Sequence, residues 1–185
     1  MAFLRPHFIQ PFESKNTLIE GVTIKNSPFW NINPVFCQNI TIKSVRIEAT
    51  HPSPNTDKID PDSCKDVISN VYFDVSDDCI AIKSGHDGQG HRIGSPTENV
   101  FITNCHMVSG HGGVSIGSEE SGGVRNVTIK YSLIQSATRG IYIKATKDRG
   151  GVENVYVNNI TVHRVKKEAL GIILIYHHKS IREPL

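Results

Sequence analysis

Six stretches of alternating apolar residues recur along the chain, and each opens with an Asn or an Asp. They begin at Asn16, Asn39, Asp66, Asn99, Asn126 and Asn154, and successive starts lie 23, 27, 33, 27 and 28 residues apart. Val, Ile and Thr dominate them, and their period-two alternation is typical of β-strands. Repeats of about 20 to 50 residues are typical of solenoids, whose turns bury a core only by stacking. The sequence therefore predicts a β-solenoid.

The recurrent Asn at the start of each stretch has two interpretations. Stacked side-chain amides can hydrogen-bond to one another between coils that lie about 4.8 Å apart. Asn is also a common turn residue, which needs no ladder to explain it. The fold prediction does not depend on which interpretation applies.

A second short apolar segment recurs later in four of the coils, at residues 58–61, 79–82, 114–116 and 141–143. Strand alternation points one row inward and the next row outward. The inward row is Ile59, Ile80, Val114 and Ile141, and the outward row is Asp60, Ala81, Ser115 and Tyr142. We expect the outward row to form one solvent-facing surface.

Composition narrows the class of protein. The formal net charge of +2 and the lack of a basic, aromatic-rich run argue against nucleic-acid binding. No apolar stretch approaches the roughly 20 residues that a membrane helix needs. Residues 1–6 show no secretory signal pattern. The cysteines, Cys37, Cys64, Cys79 and Cys105, form no CxxC pair, and we favour buried free thiols over disulfides.

The ends of the chain favour an incomplete solenoid. Repeat proteins need polar caps on their end turns. Residues 1–15 show no amphipathic cap helix, and the chain stops at Leu185 shortly after a strand-like segment. We therefore treat residues 1–185 as a single partial domain of about six to seven coils that lacks terminal coils.

Polar residues collect just before the second strand of the same four coils. They are Asn55-Thr56-Asp57, Asp77-Asp78, Gly110-His111-Gly112 and Arg139. Stacking would bring three carboxylates, an imidazole and a guanidinium to one side of the solenoid. Calcium usually needs six to eight oxygen ligands, and the two cationic neighbours disfavour it. The alternative is acid/base chemistry on a sugar, in which repulsion between Asp77 and Asp78 raises the pKa of one of them.

These motifs resemble the ordered motif set of glycoside hydrolase family 28, the polygalacturonases. The motifs are NTDKID at 55–60, DDCIAIKSG at 77–85, GHGG at 110–113 and RGIYIK at 139–144. The resemblance extends over essentially the whole chain. It implies a right-handed parallel β-helix whose outer groove hydrolyses α-1,4-linked galacturonan with inversion, without metal or cofactor. It also implies a pectic polyuronide as partner and an extracellular or periplasmic location.

The resemblance also implies roles for individual residues. Asp77 would be the general acid, and Asp57 and Asp78 would hold and activate the water. His111 would support the protonation and geometry of the acid. Substrate contacts would come from four residues, with Lys144 pairing with a substrate carboxylate. These four are Asn55, Lys144, Arg139 and Tyr142.

Two residues depart from the family pattern. Tyr142 stands where the family usually has an arginine, and Arg139 three residues earlier is not an obvious replacement. Lys58 stands where glycine is common, and we expect its cation to lower the pKa of Asp57 or to obstruct a sugar. The neighbouring Lys83, His86 and His91 could border the groove, but surface positions are expected for them.

Other classes of function stay open at this stage. One alternative is a degenerate relative that binds pectic polysaccharide without cleaving it, which Tyr142, Lys58 and the short length favour. Another is a truncated reading frame that does not fold alone. A pectate or pectin lyase would share the β-helix, but its motif set does not match this chain.

Overall fold

The computed structural model describes residues 5–49, 55–74, 76–146 and 149–176. Parallel strands dominate these residues, together with one short helix, α1 (Asp87–Ile93). In chain order the strands are β1 Leu18–Glu20, β2 Thr23–Lys25, β3 Gln38–Lys43, β4 Arg46–Glu48, β5 Lys65–Ser69, β6 Tyr72–Asp74, β7 Ile80–Ile82, β8 Thr97–Glu98, β9 Phe101–Thr103, β10 His106–Met107, β11 Gly110–Gly117, β12 Val124–Lys130, β13 Leu133–Gln135, β14 Ala137–Lys144, β15 Val152–Asn158, β16 Thr161–His163 and β17 Leu170–Ile173.

The strands form three parallel sheets that run along a solenoid, as the repeat predicts. The first sheet has the order β1-β3-β5-β9-β12-β15, with β8 also paired to β12. The second has the order β16-β13-β10-β6-β4-β2, and the third has the order β17-β14-β11-β7. Each predicted stretch supplies one strand to the first sheet and one to the second, and the chain turns between them. The predicted parallel β-helix is confirmed.

The interior is built from the inward rows of all three sheets. Ile59, Ile80 and Val114 are fully buried, and Ile141 is 4% exposed, so the predicted inward row lies in the core. The four cysteines are also buried, and all four are free thiols. This confirms the preference for small apolar thiols over disulfides.

The recurrent Asn serves both of the roles considered. The Nδ2 of Asn39 donates to the Oδ1 of Asn16 at 2.8 Å, and the same bond links Asn126 to Asn99 and Asn154 to Asn126, each at 3.1 Å. These asparagines also have positive φ angles, between 53° and 58°. The ladder therefore stacks side chains that the turn already requires.

Two local features differ from the prediction. Residues 58–61 do not form a strand, although Ile59 bridges to both Ile32 and Ile80. Helix α1 had no signal in the sequence, because it contains two glycines in seven residues and no side-chain N-cap bond.

Among the described residues, no helix combines the length and apolar character needed to cross a membrane.

Burial decreases toward the last described level of the solenoid. Leu170, Ile172 and Leu174 are 62%, 61% and 66% exposed. The equivalent rows of β11 and β14 are covered by the next strand, whereas β17 is an edge of the third sheet. Among the described residues, this level therefore presents apolar side chains and the edge strand of the third sheet.

Candidate active site

The register of the third sheet places the polar motifs side by side. Val114 pairs with Ile80 on β7 and with Ile141 on β14, and Gly112 pairs with Arg139. The amide of Cys79 donates to the carbonyl of Gly112 at 2.9 Å, so the Asp77-Asp78 turn and the Gly-His-Gly segment lie on adjacent levels. The predicted stacking of carboxylates, His111 and Arg139 on one side of the solenoid is present.

The glycines beside His111 are required by the close approach of these levels. A Cβ on Gly112 would clash with the hydroxyl of Ser115 and would lie 2.7 Å from Oδ1 of Asp78. Gly110 has a φ of +152°, and a Cβ added there would lie 2.9 Å from the carbonyl oxygen of Asp77. The Gly-His-Gly pattern thus brings the imidazole against the Asp77-Asp78 turn.

Asp78 is a buried carboxylate held by a cation. Its Oδ2 accepts a 2.6 Å hydrogen bond from Nζ of Lys144, and both side chains are less than 10% exposed. Its Oδ1 has no hydrogen-bond partner of normal geometry among the described residues and faces Nδ1 of His111 at 3.4 Å. Burial alone would raise the pKa of Asp78, but Lys144 and His111 lower it well below the usual range.

Asp77 lies at the surface end of the same turn and is only partly buried. Its Oδ2 accepts the backbone N–H of Asn55 at 3.0 Å, and its Oδ1 accepts that of Asp78 at 3.0 Å. The side chain of Asn55 is itself held, since its Oδ1 accepts a 3.0 Å bond from Arg5. Of the three acids, Asp77 is the one that solvent reaches.

Asp57 is 6% exposed, and its electrostatic environment is opposite to that of Asp78. Burial raises the pKa of Asp57 to about 7, the charges of Asp77 and Asp78 act in the same direction, and Lys83 and Lys144 oppose them. The predicted rise in pKa at the Asp77-Asp78 pair is therefore wrong for Asp78, because Lys144 and His111 outweigh the effect of burial and lower its pKa. The pKa is raised instead at Asp57, one level away, and at the buried Asp60.

Lys83 is a buried member of the site that the sequence placed at the surface. Its Nζ lies 4.0 Å from Asp57 Oδ2, 3.9 Å from Asp60 Oδ1 and 3.2 Å from Glu119 Oε2. It also sits 4.3 Å from the ring centre of Trp30. Strand alternation from Ala81 gave the signal, because residues two apart share a face.

Lys58 does not behave as predicted. It is fully buried, so it does not line the groove or obstruct a sugar, and the pKa of Asp57 beside it is raised rather than lowered. Its Nζ has no hydrogen-bond partner among the described residues, and burial lowers its own pKa to about 8.

The outward row of the third sheet faces the site rather than solvent. Asp60, Ala81 and Ser115 are fully buried, and Tyr142 is 2% exposed, so the prediction of a solvent-facing surface is wrong. Longer side chains cover the row. The guanidinium of Arg139 lies 4.4 Å from the ring centre of Tyr142, and Nζ of Lys144 lies 5.9 Å from it.

Arg139 links His111 to the next level. Its Nε donates to Oε2 of Glu168 at 2.9 Å, and its terminal nitrogen lies 3.4 Å from Nε2 of His111. Tyr142, under the guanidinium, stacks edge-on against Tyr176 at 6.3 Å between ring centres. Sequence reasoning missed Glu168, which no motif marks.

The same cluster contains three side chains that could serve as metal ligands. Ligand atoms of Asp77, Asp78 and His111 lie within 4.8 Å of one another. Two fixed cations already contact this cluster, since Lys144 bonds to Asp78 and Arg139 contacts His111. The donor set therefore fits a metal ion poorly.

Comparison with known proteins agrees with this geometry. The family model for glycosyl hydrolases family 28 matches residues 4–180. The chain belongs to this family. A probable polygalacturonase of Vitis vinifera is 38% identical over 169 residues, which is 90% of this chain and 34% of that protein. An endo-polygalacturonase of Pectobacterium carotovorum subsp. carotovorum is 34% identical over 179 residues, which is 95% of this chain and 42% of that protein.

A solved structure of the family shares the fold closely. The hyperthermoactive exopolygalacturonase from Thermotoga maritima has a TM-score of 0.89 and 42% sequence identity, with 92% of this chain and 39% of that chain covered. This family 28 chain thus spans about two fifths of the length of the relatives it matches.

Proposed function

We propose that this protein hydrolyses α-1,4-galacturonosidic linkages of pectic polyuronides with inversion at the anomeric carbon. The observation that carries the proposal is the convergence of Asp57, Asp77, Asp78 and His111 on one edge of the third sheet. Inverting glycosidases need one carboxyl to protonate the leaving oxygen and another to activate water. Here Asp57 and Asp78 have opposite electrostatic environments, and Asp77 is the more exposed carboxyl of the cluster.

Asp78 is suited to be the base. Lys144 keeps it ionised, and its Oδ1 has no hydrogen-bond partner of normal geometry among the described residues, so it can accept a proton from water. Asp57, on the neighbouring level, would help to hold this water. Its raised pKa reflects burial, and Lys83 opposes that rise.

Asp77 is suited to be the acid because a glycosidic oxygen can reach it, whereas Asp57 and Asp78 are buried. Its two carboxylate oxygens each accept one backbone N–H bond, from Asn55 and from Asp78, so the carboxyl is held in a fixed orientation at the surface end of the turn.

Substrate contacts are assigned to Asn55, Lys144, Arg139 and Tyr142. Lys144 and Arg139 each hold a protein carboxylate, Asp78 and Glu168 respectively. A substrate carboxylate would compete for these cations, and Glu168 is the more exposed of the two carboxylates, with a side chain 54% exposed. Because pectin is a cell-wall polymer, we place this activity outside the cell or in the periplasm.

The test is release of reducing ends from polygalacturonic acid by the 185-residue protein and by Asp77→Asn. Loss of a general acid typically costs about 10² to 10⁴ in rate, so the variant is expected to lose at least about 100-fold. Glu20→Gln, which changes an exposed acid on β1, is the matched control and is expected to keep full activity. A folded but inactive protein would reject hydrolysis and support the alternative of pectin binding alone.

A further inference from the structure

Arg139 is held on several sides before any substrate arrives. Its Nε is bound by Glu168, its planar face lies over Tyr142, and its side chain is 12% exposed. The pairing of its backbone with Gly112 places it next to His111. The guanidinium therefore presents its terminal nitrogen to Nε2 of the imidazole at 3.4 Å from a fixed direction.

A guanidinium can donate hydrogen bonds but cannot accept them. For this contact to be a hydrogen bond, Nε2 of His111 must carry a lone pair, and the single ring proton must then be on Nδ1. That nitrogen faces Oδ1 of Asp78 at 3.4 Å, an acceptor that lacks another hydrogen-bond partner among the described residues. The tautomer that carries its proton on Nδ1 therefore suits the neighbours of both ring nitrogens.

We propose that Arg139 is a positioning residue that holds His111 as the neutral tautomer protonated at Nδ1. The charged groups that contact or adjoin the imidazole are Asp77 and Asp78 ahead of β7 and Arg139 on β14. The consequence of this tautomer for catalysis rests on the proposed hydrolase function, whereas the tautomer itself does not.

The catalytic consequence concerns the acid. An imidazolium beside Asp77 would place a positive charge next to the proposed general acid. A neutral imidazole places none there. Arg139 would in this way support the acid indirectly, by keeping its neighbour uncharged.

The direct test is nitrogen-15 NMR of the protein labelled at its histidine ring nitrogens, at neutral pH. The chain has nine histidines, so the signal of His111 is assigned by its loss in His111→Gln. We expect a one-bond N–H coupling at Nδ1 and a lone-pair signal at Nε2. A proton found on Nε2, alone or with one on Nδ1, would overturn the proposal whether or not the protein cleaves pectin.

Three variants separate positioning from a structural role. Arg139→Met removes the donor, and we expect a new proton on Nε2. Arg139→Lys restores a donor and is expected to restore the Nδ1 form at least in part. Arg125→Met is the matched control, because Arg125 also binds a glutamate, Glu98 at 2.8 Å, on the first sheet. An unchanged tautomer in Arg139→Met would contradict the proposal.

Kinetics provide a second readout. A wrong histidine tautomer costs about 10⁴ in kcat in a catalytic triad, and we expect Arg139→Met to lose at least about tenfold in kcat, in addition to any rise in KM from the substrate contact assigned to Arg139. The acid limb of the pH–kcat profile of Arg139→Met should also shift relative to that of the unmutated protein. If circular dichroism shows that Arg139→Met does not fold, Glu168→Gln replaces it, since it loosens the guanidinium without removing it. A hydrolase whose kcat and pH profile are unchanged in a folded variant would contradict the catalytic role.

Discussion

Replacing Lys144 with methionine leaves the carboxylate of Asp78 buried without its closest cation. The ammonium lies 2.6 Å from Oδ2, Asp78 is 1% exposed, and Lys144 is 7% exposed. Removing one partner of a buried ion pair typically costs about 3 to 5 kcal/mol. Since His111 still faces the other oxygen at 3.4 Å, we expect Lys144→Met to lower the free energy of unfolding by about 3 kcal/mol at pH 7.

The loss should depend on pH in a defined direction. In the unmutated protein the pKa of Asp78 is depressed, so its stabilising effect is complete above the unfolded pKa of about 3.9 and is lost only as the pH falls below that value. In Lys144→Met only His111 still opposes the effect of burial, so the folded pKa of Asp78 rises. Proton uptake then removes the buried charge, and the difference between the two proteins should shrink from pH 7 to pH 5.

Urea unfolding followed by far-ultraviolet circular dichroism at pH 5, 6 and 7 measures this difference. The matched control is Lys43→Met, whose exposed pair with Glu20 at 3.1 Å should cost less than about 1 kcal/mol at every pH. Adding Asp78→Asn to Lys144→Met should recover more than half of the loss. A cost for Lys144→Met below about 1 kcal/mol, or one that does not change with pH, would show that Lys144 does not compensate the buried charge of Asp78.

The other predictions concern Asp57, the thiols and metal ions. Because the folded pKa of Asp57 is raised to about 7, its contribution to stability should fall as the pH rises from about 4 to about 7, and Asp57→Asn should flatten that part of a melting-temperature curve; an identical curve would contradict the shift. The four buried free thiols should react with a thiol reagent only after unfolding, and a reductant should leave the melting temperature unchanged; fewer than four titratable thiols in urea would indicate a disulfide. Chelation with EDTA should not reduce pectin hydrolysis, because Lys144 and Arg139 already contact the acid-histidine cluster; activity restored by calcium would contradict this.

The fold could be predicted from the sequence because every coil of the solenoid repeats the same local pattern. Asn126 and Asn154 mark both a turn and a ladder, and the inward row of Ile80, Val114 and Ile141 follows from alternation alone. Helix α1 was not predicted because it occurs in one coil alone among the described residues, and a segment with two glycines in seven residues shows no helical pattern.

Part of the candidate site followed from the sequence, because stacking brings Asp77, Asp78 and His111 together. The prediction missed Glu168, and it missed Lys83 although strand alternation from Ala81 indicates its face. Sequence spacing does not show which cation reaches which carboxylate, so the pairing of Lys144 with Asp78 and the burial of Lys58 could not be predicted from it. Exposure was misjudged for Tyr142 because Arg139 and Lys144 on the same strand, together with Tyr176 further along the chain, lie against its ring.

The most direct test of the proposed chemistry is proton NMR of the first product formed from oligogalacturonides, recorded faster than mutarotation. We predict hydrolysis with inversion, so the new reducing end should appear first as the β-anomer and then equilibrate. Asp77→Asn should form this product at least about 100-fold more slowly. A reducing end that appears first as the α-anomer, or an unsaturated product of β-elimination, would contradict inverting hydrolysis by this protein.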